Sequence, residues 1–324
     1  MKFLFALAIC FWACSLQASV PAATTNAPAA VDVLIIVGAA GEQTFGEDFA
    51  EATRDWVKAC GDASKSFRVI EAQAVGTNQL AELTETLAAQ NTLERELWLI
   101  FIGHGTFDGK EAKFNLAGPD ISAGELSALL DQLKRETVVI NSSSSSAPFM
   151  NALASPSRLV VTATKSGYEE NYTRFGKFFA KSIVDREADL DQDGQVSLLE
   201  AFLMASRHVE DFYKSEKRLT TEHALLDDNG DGRGTPSTFF RGIRPAKEPE
   251  ENAKVDGLRA HQIHFLPSEE EARLAPEIRE RRNELERQLE NLRARKEKLP
   301  EDQYLKELEN IILPLSRLYR DAAK

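Results

Sequence analysis

Short apolar runs alternate with amphipathic helical patterns along most of the chain, and this alternation restricts the fold more than any other feature. Each run is rich in β-branched residues and has the length of a strand rather than a helix. The runs span residues 31–37, 67–70, 97–102, 137–140 and 159–162. The helical patterns span residues 48–60, 78–90, 122–134, 172–185 and 197–217. Such alternation predicts an α/β fold with a mostly parallel sheet flanked by helices on both faces.

The segments outside this pattern divide the chain further. Residues 1–19 predict a secretory signal peptide, because Lys2 precedes an apolar stretch that small residues follow. Residues 20–30 are rich in Ala, Pro and Thr and predict a flexible leader. The α/β domain is expected over residues 31–245, a linker over 246–267 and a helical hairpin over 268–324. We therefore expect an exported protein, periplasmic or secreted, with an uncleaved anchor or a lipidated Cys14 as alternatives.

Charge and cysteine content exclude several classes of partner and bond. The net charge of −12 argues against nucleic acid, whose phosphates require clustered Lys and Arg. After signal cleavage, no segment reaches the ~20 apolar residues that a membrane helix needs. Cleavage would also leave Cys60 as the single cysteine, so no intramolecular disulfide is expected. Cys60 ends a predicted helix and is expected to be a structural thiol.

Residues 189–200, the first acidic loop, match the calcium-binding loop of an EF-hand at each diagnostic place. The expected ligands are Asp189, Asp191, Asp193, Gln195 through its carbonyl, Ser197 and a bidentate Glu200. Gly194 stands where the loop turns sharply, and Val196 is expected to meet a neighbouring strand or loop. Calcium takes six to eight oxygen ligands, which this spacing supplies. The pattern predicts bound Ca²⁺, with a merely solvated acidic loop as the alternative.

Residues 227–235, the second acidic loop, repeat part of this pattern. Asp227, Asn229 and Asp231 occupy the first three ligand positions and Gly232 follows them. The twelfth position is Thr238, which cannot bind a cation through two oxygens. Two interpretations stay open: a weaker ion site completed by water or by a distant carboxylate, and a turn built from Asn and Gly.

The tail carries leucines at spacings of three, four and seven in two charged helical patterns. The first contains Leu274, Ile278, Leu285, Leu289, Leu292 and Leu299. Pro300 interrupts it, and the second contains Leu305, Leu308, Ile312, Leu315 and Leu318. This predicts an αα-hairpin with a coiled-coil-like seam. The two helices either pack on each other or the main domain, or form an arm that binds a partner or dimerises.

Two neighbouring predicted strands end in residues that carry chemistry. His104 and Gly105 follow the strand at 97–102, and five serines, 142–146, follow Asn141 after the strand at 137–140. Ligands of parallel sheets bind at this carboxyl edge. A strand ending in His-Gly, with a later strand ending in a small loop, resembles cysteine peptidases of the caspase and legumain type. The segment from Leu159 through residue 232 resembles exported bacterial relatives that carry calcium loops.

The resemblance implies a caspase-like fold over residues 31–240 and makes His104 the catalytic histidine. It places Ser143 where the family has its cysteine. A serine hydroxyl is far less acidic than a thiol and needs a base held by its own acid. No such acid is assignable from the sequence, and Ser142, Ser144 or Ser145 are alternatives to Ser143. A histidine that is merely packed at a strand end is the alternative for His104.

Three functions follow as hypotheses. The first is a calcium-stabilised, catalytically inactive pseudopeptidase that binds a peptide or protein or serves as a scaffold. The second is an active peptidase or other hydrolase that uses Ser143 with His104 as base. The third is an interaction protein that acts through the C-terminal hairpin. In each of them, Ca²⁺ at the first acidic loop is expected to support the architecture rather than to perform chemistry.

Overall fold

A seven-stranded sheet forms the centre of the computed structural model, which describes residues 29–72, 76, 78–92, 95–247 and 256–322. The sheet has the order β10-β9-β8-β7-β3-β1-β2. Its strands are β1 (Val33–Val37), β2 (Phe67–Ile70), β3 (Leu97–Ile102), β7 (Thr137–Asn141), β8 (Arg158–Thr162), β9 (Leu225–Asp227) and β10 (Thr235–Pro236). The first five of these strands are parallel, and β9 and β10 form an antiparallel edge. The predicted mostly parallel sheet is confirmed.

Helices cover both faces of the sheet, as the uniformly apolar strands predict. The helices of the α/β unit are α1 (Gln43–Asp62), α2 (Gln79–Ala88), α3 (Ala123–Leu130), α4 (Ala147–Leu153), α5 (Phe175–Ser182) and α6 (Leu198–Ser215). One buried cluster joins Ile35 and Ile100 of the sheet to α1, α5 and α6. The other joins Leu34 and Leu99 to α2, α3 and α4. Each fully buried large apolar side chain contributes about 1.5–3 kcal/mol to the free energy of unfolding.

Smaller elements connect these layers. A three-stranded antiparallel sheet consists of β4 (Gly105–Phe107), β5 (Ala112–Phe114) and β6 (Ile121–Ser122). A short hairpin consists of β11 (Phe240–Arg241) and β12 (Arg244–Pro245). Single 3₁₀ turns span Ala89–Thr92, Arg186–Ala188, Ser237–Phe239 and Lys296–Lys298.

Helix starts follow local chemistry in one case and tertiary contacts in another. The capping box predicted at α3 is present, with Ser122 and Glu125 bonded to each other's backbone amides. Helix α5 begins at Phe175, three residues later than its apolar pattern predicts. The carboxylate of Glu222 accepts hydrogen bonds from the amides of Arg174 and Phe175 and so caps this helix from a distant part of the chain.

Residues 256–265 are part of the folded unit, which differs from the linker predicted over 246–267. They contain α7 (Leu258–Gln262) and end in Phe265, which is fully buried. The Phe265 ring packs edge-on against Trp56 and Trp98, with centroids 5.4 and 4.9 Å apart. One large aromatic side chain and a helix of only five residues anchor this segment. The segment therefore lacks the hydrophobic periodicity from which a helix or strand is predicted.

Two long helices, α9 (Pro276–Ala294) and α10 (Glu301–Ala322), follow the short helix α8 (Glu269–Arg273) and confirm the C-terminal helical pair. Leu285, Leu289 and Leu292 of α9 are buried as the seam predicts. Leu305 and Ile312 of α10 are instead 52% and 42% exposed, so they lie outside that seam. Within the described residues, no helix has the length and apolar content to span a bilayer. The predicted signal peptide, residues 1–19, and all but residues 29 and 30 of the predicted leader lie outside the described residues.

Candidate functional site

The first acidic loop lies between the 3₁₀ turn after α5 and the start of α6, and it brings three predicted ligands together. One carboxylate oxygen from each of Asp189, Asp191 and Asp193 lies within 4.8 Å of the others. Gly194 has φ of +91°, the left-handed conformation that the turn requires. Val196 is buried, and the next residue, Ser197, forms an isolated antiparallel bridge with His264. The bridge to a neighbouring segment thus lies one residue after Val196, the position at which the sequence predicts it.

Backbone amides hold the three carboxylates in place. The Asp189 carboxylate accepts from the amide of Asp193 at 3.2 Å and from that of Gly194 at 3.0 Å. Asp191 accepts from the Asp193 amide at 3.2 Å, and Asp193 from the Gln195 amide at 3.0 Å. Burial, and then the charges of Asp193 and Glu200, raise the pKa of Asp191. Oxygen donors of this charge and closeness fit a hard divalent cation.

Glu200 faces the same loop but is committed to other contacts. It is 1% exposed, and its Oε2 accepts from the amide and hydroxyl of Ser197 at 2.8 Å, which completes a capping box at α6. Its Oε1 accepts from the amides of Leu190 and Asp191 at 2.8 and 3.3 Å. The Ser197 hydroxyl is held in that capping box, and the side chain of Gln195 accepts from the amide of Ser268 at 3.0 Å. Among the predicted ligands, the carboxylates of Asp189, Asp191 and Asp193 thus form one close group.

His261, which the sequence analysis did not single out, also borders the first acidic loop. Its Nε2 lies 3.4 Å from the Asp191 carboxylate, and its Nδ1 lies 3.4 Å from the Ser197 hydroxyl. His261 belongs to α7, which the tertiary fold brings to the loop. The sequence separates these residues by about seventy positions with no shared pattern, so local spacing does not reveal the contact.

The second acidic loop repeats the hydrogen-bond arrangement of the first but is partly buried at the sheet edge between β9 and β10. Asp227 is 1% exposed and accepts from the amides of Gly230 and Gly232, both at 2.8 Å. Asn229 and Asp231 accept from amides two residues further along, at 3.0 and 2.8 Å. The predicted ligand positions therefore form turns in which side chains accept from nearby backbone amides, which is compatible with both open interpretations.

Two further carboxylates that the sequence analysis missed, Asp228 and Asp256, close this loop. Asp256 accepts from the Asp228 amide at 3.0 Å, from the Asn229 side chain at 2.6 Å and from the Thr235 hydroxyl at 2.6 Å. Asp228 in turn accepts from the amides of Gly257 and Ala260 at 2.9 and 2.8 Å. Asp256 is distant from the loop in sequence, and its contacts join the loop to residues 256–260.

The Asp228–Asp256 pair is electrostatically unusual. Burial, and then the charge of Asp228, raise the pKa of Asp256 to about 9. Burial likewise raises the pKa of Asp228. At neutral pH the two buried carboxyl groups therefore hold a proton between them, as carboxyl groups that share a site do.

His104 lies at the carboxyl end of β3, where the sequence predicts it, in an aromatic environment. Its ring packs edge-on against Phe45 and Phe49, with centroids 4.7 and 5.1 Å apart, and also neighbours Tyr172 at 6.1 Å. Burial lowers the pKa of His104, and the opposing effects of the Ala40 backbone and of Glu42 are smaller. The neutral imidazole is therefore favoured at physiological pH.

The predicted nucleophile, Ser143, follows β7 and is fully buried. Its hydroxyl donates to Oδ1 of Asn141 at 2.7 Å, and its amide donates to the same oxygen at 3.1 Å. A Cβ on Gly105 would lie 2.9 Å from the Ser143 hydroxyl, so the serine packs against the residue next to His104. Strands β3 and β7 thus bring the two predicted residues to one edge, with the hydroxyl bonded to Asn141.

The other four serines are also at most 8% exposed. Ser142 donates to the carbonyl of Phe101 at 2.5 Å, and Ser144 donates to that of Gly105 at 3.0 Å. Ser146 accepts from the amides of Ala163 and Thr164. Ser145 has a left-handed φ of +53°, and no hydrogen-bond partner for its buried hydroxyl lies within the described part of the chain. The hydroxyls of Ser142, Ser144 and Ser146 therefore satisfy backbone groups near the sheet edge, whereas those of Ser143 and Ser145 do not.

No family model matches the chain, and no curated protein matches it. Solved structures with a similar fold include the Drosophila initiator caspase Dronc, which is 15% identical, with 62% of this chain and 81% of that chain covered at a TM-score of 0.39. They also include a Geobacter sulfurreducens protein at 12% identity, with coverage of 60% and 92% and a TM-score of 0.39. Caspase-1 from Spodoptera frugiperda is 9% identical, with coverage of 63% and 89% and the same TM-score. Likenesses at this level say nothing about the chemistry of the chain.

Proposed function

We propose that this chain is an exported, calcium-binding protein whose caspase- and legumain-like domain binds a peptide or protein without cleaving it. The observation that carries the calcium part is the convergence of Asp189, Asp191 and Asp193 within 4.8 Å. Three carboxylates so close repel one another, and a divalent cation would remove that repulsion. The ion would stabilise the start of α6 and the turn after α5, which makes its role architectural.

Calcium titration calorimetry tests this proposal on matched positions of the two acidic loops. Asp193→Asn removes a carboxylate from the first loop, and Asp231→Asn removes the equivalent, also exposed, carboxylate from the second. We expect Asp193→Asn to weaken binding at least about tenfold, because ligand charge sets the affinity of such loops. Asp231→Asn should leave the tightest binding event unchanged. Equal affinities in Asp193→Asn and the unmodified chain would contradict the assignment.

The catalytic inactivity rests on the surroundings of Ser143. Its hydroxyl is buried and donates to Asn141, whereas a serine nucleophile needs a base that accepts its proton and an acid that orients the base. His104 packs among aromatic rings, and burial lowers its pKa. The Ala40 backbone and the charge of Glu42 oppose this change with smaller effects. The aromatic lining beside His104 would suit an apolar side chain of a bound peptide.

An active hydrolase using Ser143 and His104 is the second candidate, favoured by their placement at one sheet edge. A serine-directed fluorophosphonate probe and a fluorogenic peptide library test it. We expect neither labelling nor turnover with the unmodified chain. Labelling that disappears in Ser143→Ala while Ser142→Ala retains it would overturn the pseudopeptidase proposal and establish the hydrolase.

Export is the remaining part of the proposal, and it rests on the residue pattern over 1–19. Amino-terminal sequencing of the protein recovered from its native host distinguishes the outcomes. A mature chain that begins close to residue 20 is expected, whereas recovery of the intact amino terminus would refute cleavage.

A further inference from the structure

One side of α10 carries a row of exposed apolar side chains. Leu305, Ile312 and Tyr319 are 52%, 42% and 52% exposed. They are seven residues apart, so they share one side of the helix with a drift of about 20° per step. The row is about 21 Å long, since an α-helix rises 1.5 Å per residue, and it passes Pro314, which lies inside the helix. An exposed apolar row of this kind is typical of a helix–helix interface.

This row lies beside the side of α10 that packs against α9. The half-buried residues of α10 follow their own three-four spacing. They are Tyr304, Glu307, Leu308, Ile311, Pro314, Leu315 and Leu318. The Tyr319 hydroxyl donates to Glu286 of α9 at 2.7 Å, so the row borders the contact with α9 at this end. Helix α10 therefore has one seam that α9 occupies and a second seam that faces solvent.

The charges along α10 indicate what would cover the second seam. Residues 301–310 contain four acidic residues and one lysine, whereas residues 311–322 contain two arginines and one aspartate. Two copies of the helix packed in parallel would place the acidic halves side by side. Packed antiparallel, each acidic half would face the more basic half of the other copy.

We propose that a second copy of this chain packs on the row, antiparallel, about a two-fold axis at Ile312. A two-fold interface uses the same surface of both subunits, which a self-complementary charge distribution allows. Ile312 would meet Ile312 of the partner subunit, and Leu305 would meet Tyr319 of the partner subunit. The two hairpins would then form a four-helix assembly that leaves both α/β domains outside it. This inference depends on neither calcium binding nor catalytic inactivity.

Light scattering on the full chain tests the interface with two variants, each of which replaces an exposed apolar residue of α10 by glutamate. Ile312→Glu places two carboxylates at the proposed axis and should convert a dimer into a monomer. Leu313→Glu is the matched control, because Leu313 is similarly exposed at 47% but lies about 100° further round the helix. It should remain dimeric. A monomeric unmodified chain, a dimeric Ile312→Glu, or equal dissociation of both variants would each overturn the proposal.

Single cysteine substitutions test the antiparallel arrangement. Ile312→Cys should form an intersubunit disulfide on oxidation, because the two residues meet at the axis. Leu305→Cys should not, because the two copies of residue 305 would be about 21 Å apart and a disulfide spans at most about 7 Å between Cα atoms. The unmodified chain, which contains Cys10, Cys14 and the fully buried Cys60, provides the background for both. Efficient cross-linking of Leu305→Cys would establish a parallel arrangement and refute the proposed one.

Discussion

The two acidic loops share a residue pattern and a hydrogen-bond arrangement, yet they differ in what balances their charge. In the first, Asp191 and Asp193 are exposed, and three carboxylates face one another. In the second, Asp227 is buried, and Asp228 and Asp256 bond to amides, an asparagine and a threonine of the protein itself.

This difference shows that an acidic loop can balance its charge in two ways. In the proposed function, the carboxylates of the first loop are balanced by a cation from solution, whereas the second loop satisfies its carboxylates with protein donors and a retained proton. The surroundings decide which way applies, because burial makes an uncompensated charge costly. Three predictions would break or sharpen this comparison.

The largest expected effect comes from adding a methyl group to a glycine of the second loop. Gly230 has φ of +74°, and a Cβ there would lie 2.5 Å from the carbonyl carbon of Ser155. We expect Gly230→Ala to lower the free energy of unfolding by about 2–5 kcal/mol, the sum of left-handed strain and overpacking. Urea unfolding measures the change.

Gly194→Ala is the matched substitution in the first loop. Gly194 is also left-handed, with φ of +91°, but a Cβ there would have no atom within 4 Å. Only the conformational cost of about 1–2 kcal/mol is expected. Similar losses in the two variants would mean that the second loop is not held more tightly than the first.

The second prediction concerns Glu200→Gln and the stabilisation that calcium provides. A ligand at one hundred times its dissociation constant adds about 2.7 kcal/mol to stability. We expect the unmodified chain to gain this amount and Glu200→Gln to gain much less, as judged by thermal unfolding in calcium and in chelator. In chelator the variant should also lose about 1–3 kcal/mol, because glutamine keeps only one acceptor oxygen, so either the amides of Leu190 and Asp191 or the amide of Ser197 lose their acceptor. An undiminished gain from calcium would restrict Glu200 to its capping role.

The third prediction concerns pH and the second loop. An unfolded aspartate has a pKa near 3.9, whereas the pKa of Asp256 in the folded protein is raised to about 9. The folded state therefore binds the extra proton between these values, and its stability falls as pH rises through this window. Asp256→Asn cannot ionise, so its stability relative to the unmodified chain should increase steadily from pH 5 to pH 8. A difference that is independent of pH would show that Asp256 is ionised in the folded protein.

Much of the fold could be predicted because its causes are local. The run at 97–102 predicts a buried strand, since every residue of it is apolar, and the structure has a fully buried strand there. The capping box at Ser122 and the break at Pro300 likewise depend on residues a few positions apart. Phe265 was not predictable, because its burial depends on Trp56 and Trp98, which are far away in the chain.

The sequence by itself determined the alternation of strands and helices, the ligand spacing of the first loop and the helical pair, since each follows from short-range periodicity. Only the tertiary structure decided which carboxylates share a proton, because Asp228 and Asp256 meet through long-range folding. The tertiary structure alone also showed that the Ser143 hydroxyl donates to Asn141 and that the His104 ring packs among aromatic residues. Burial and non-local contacts set the pKa and the exposure of each group, and no local pattern records them.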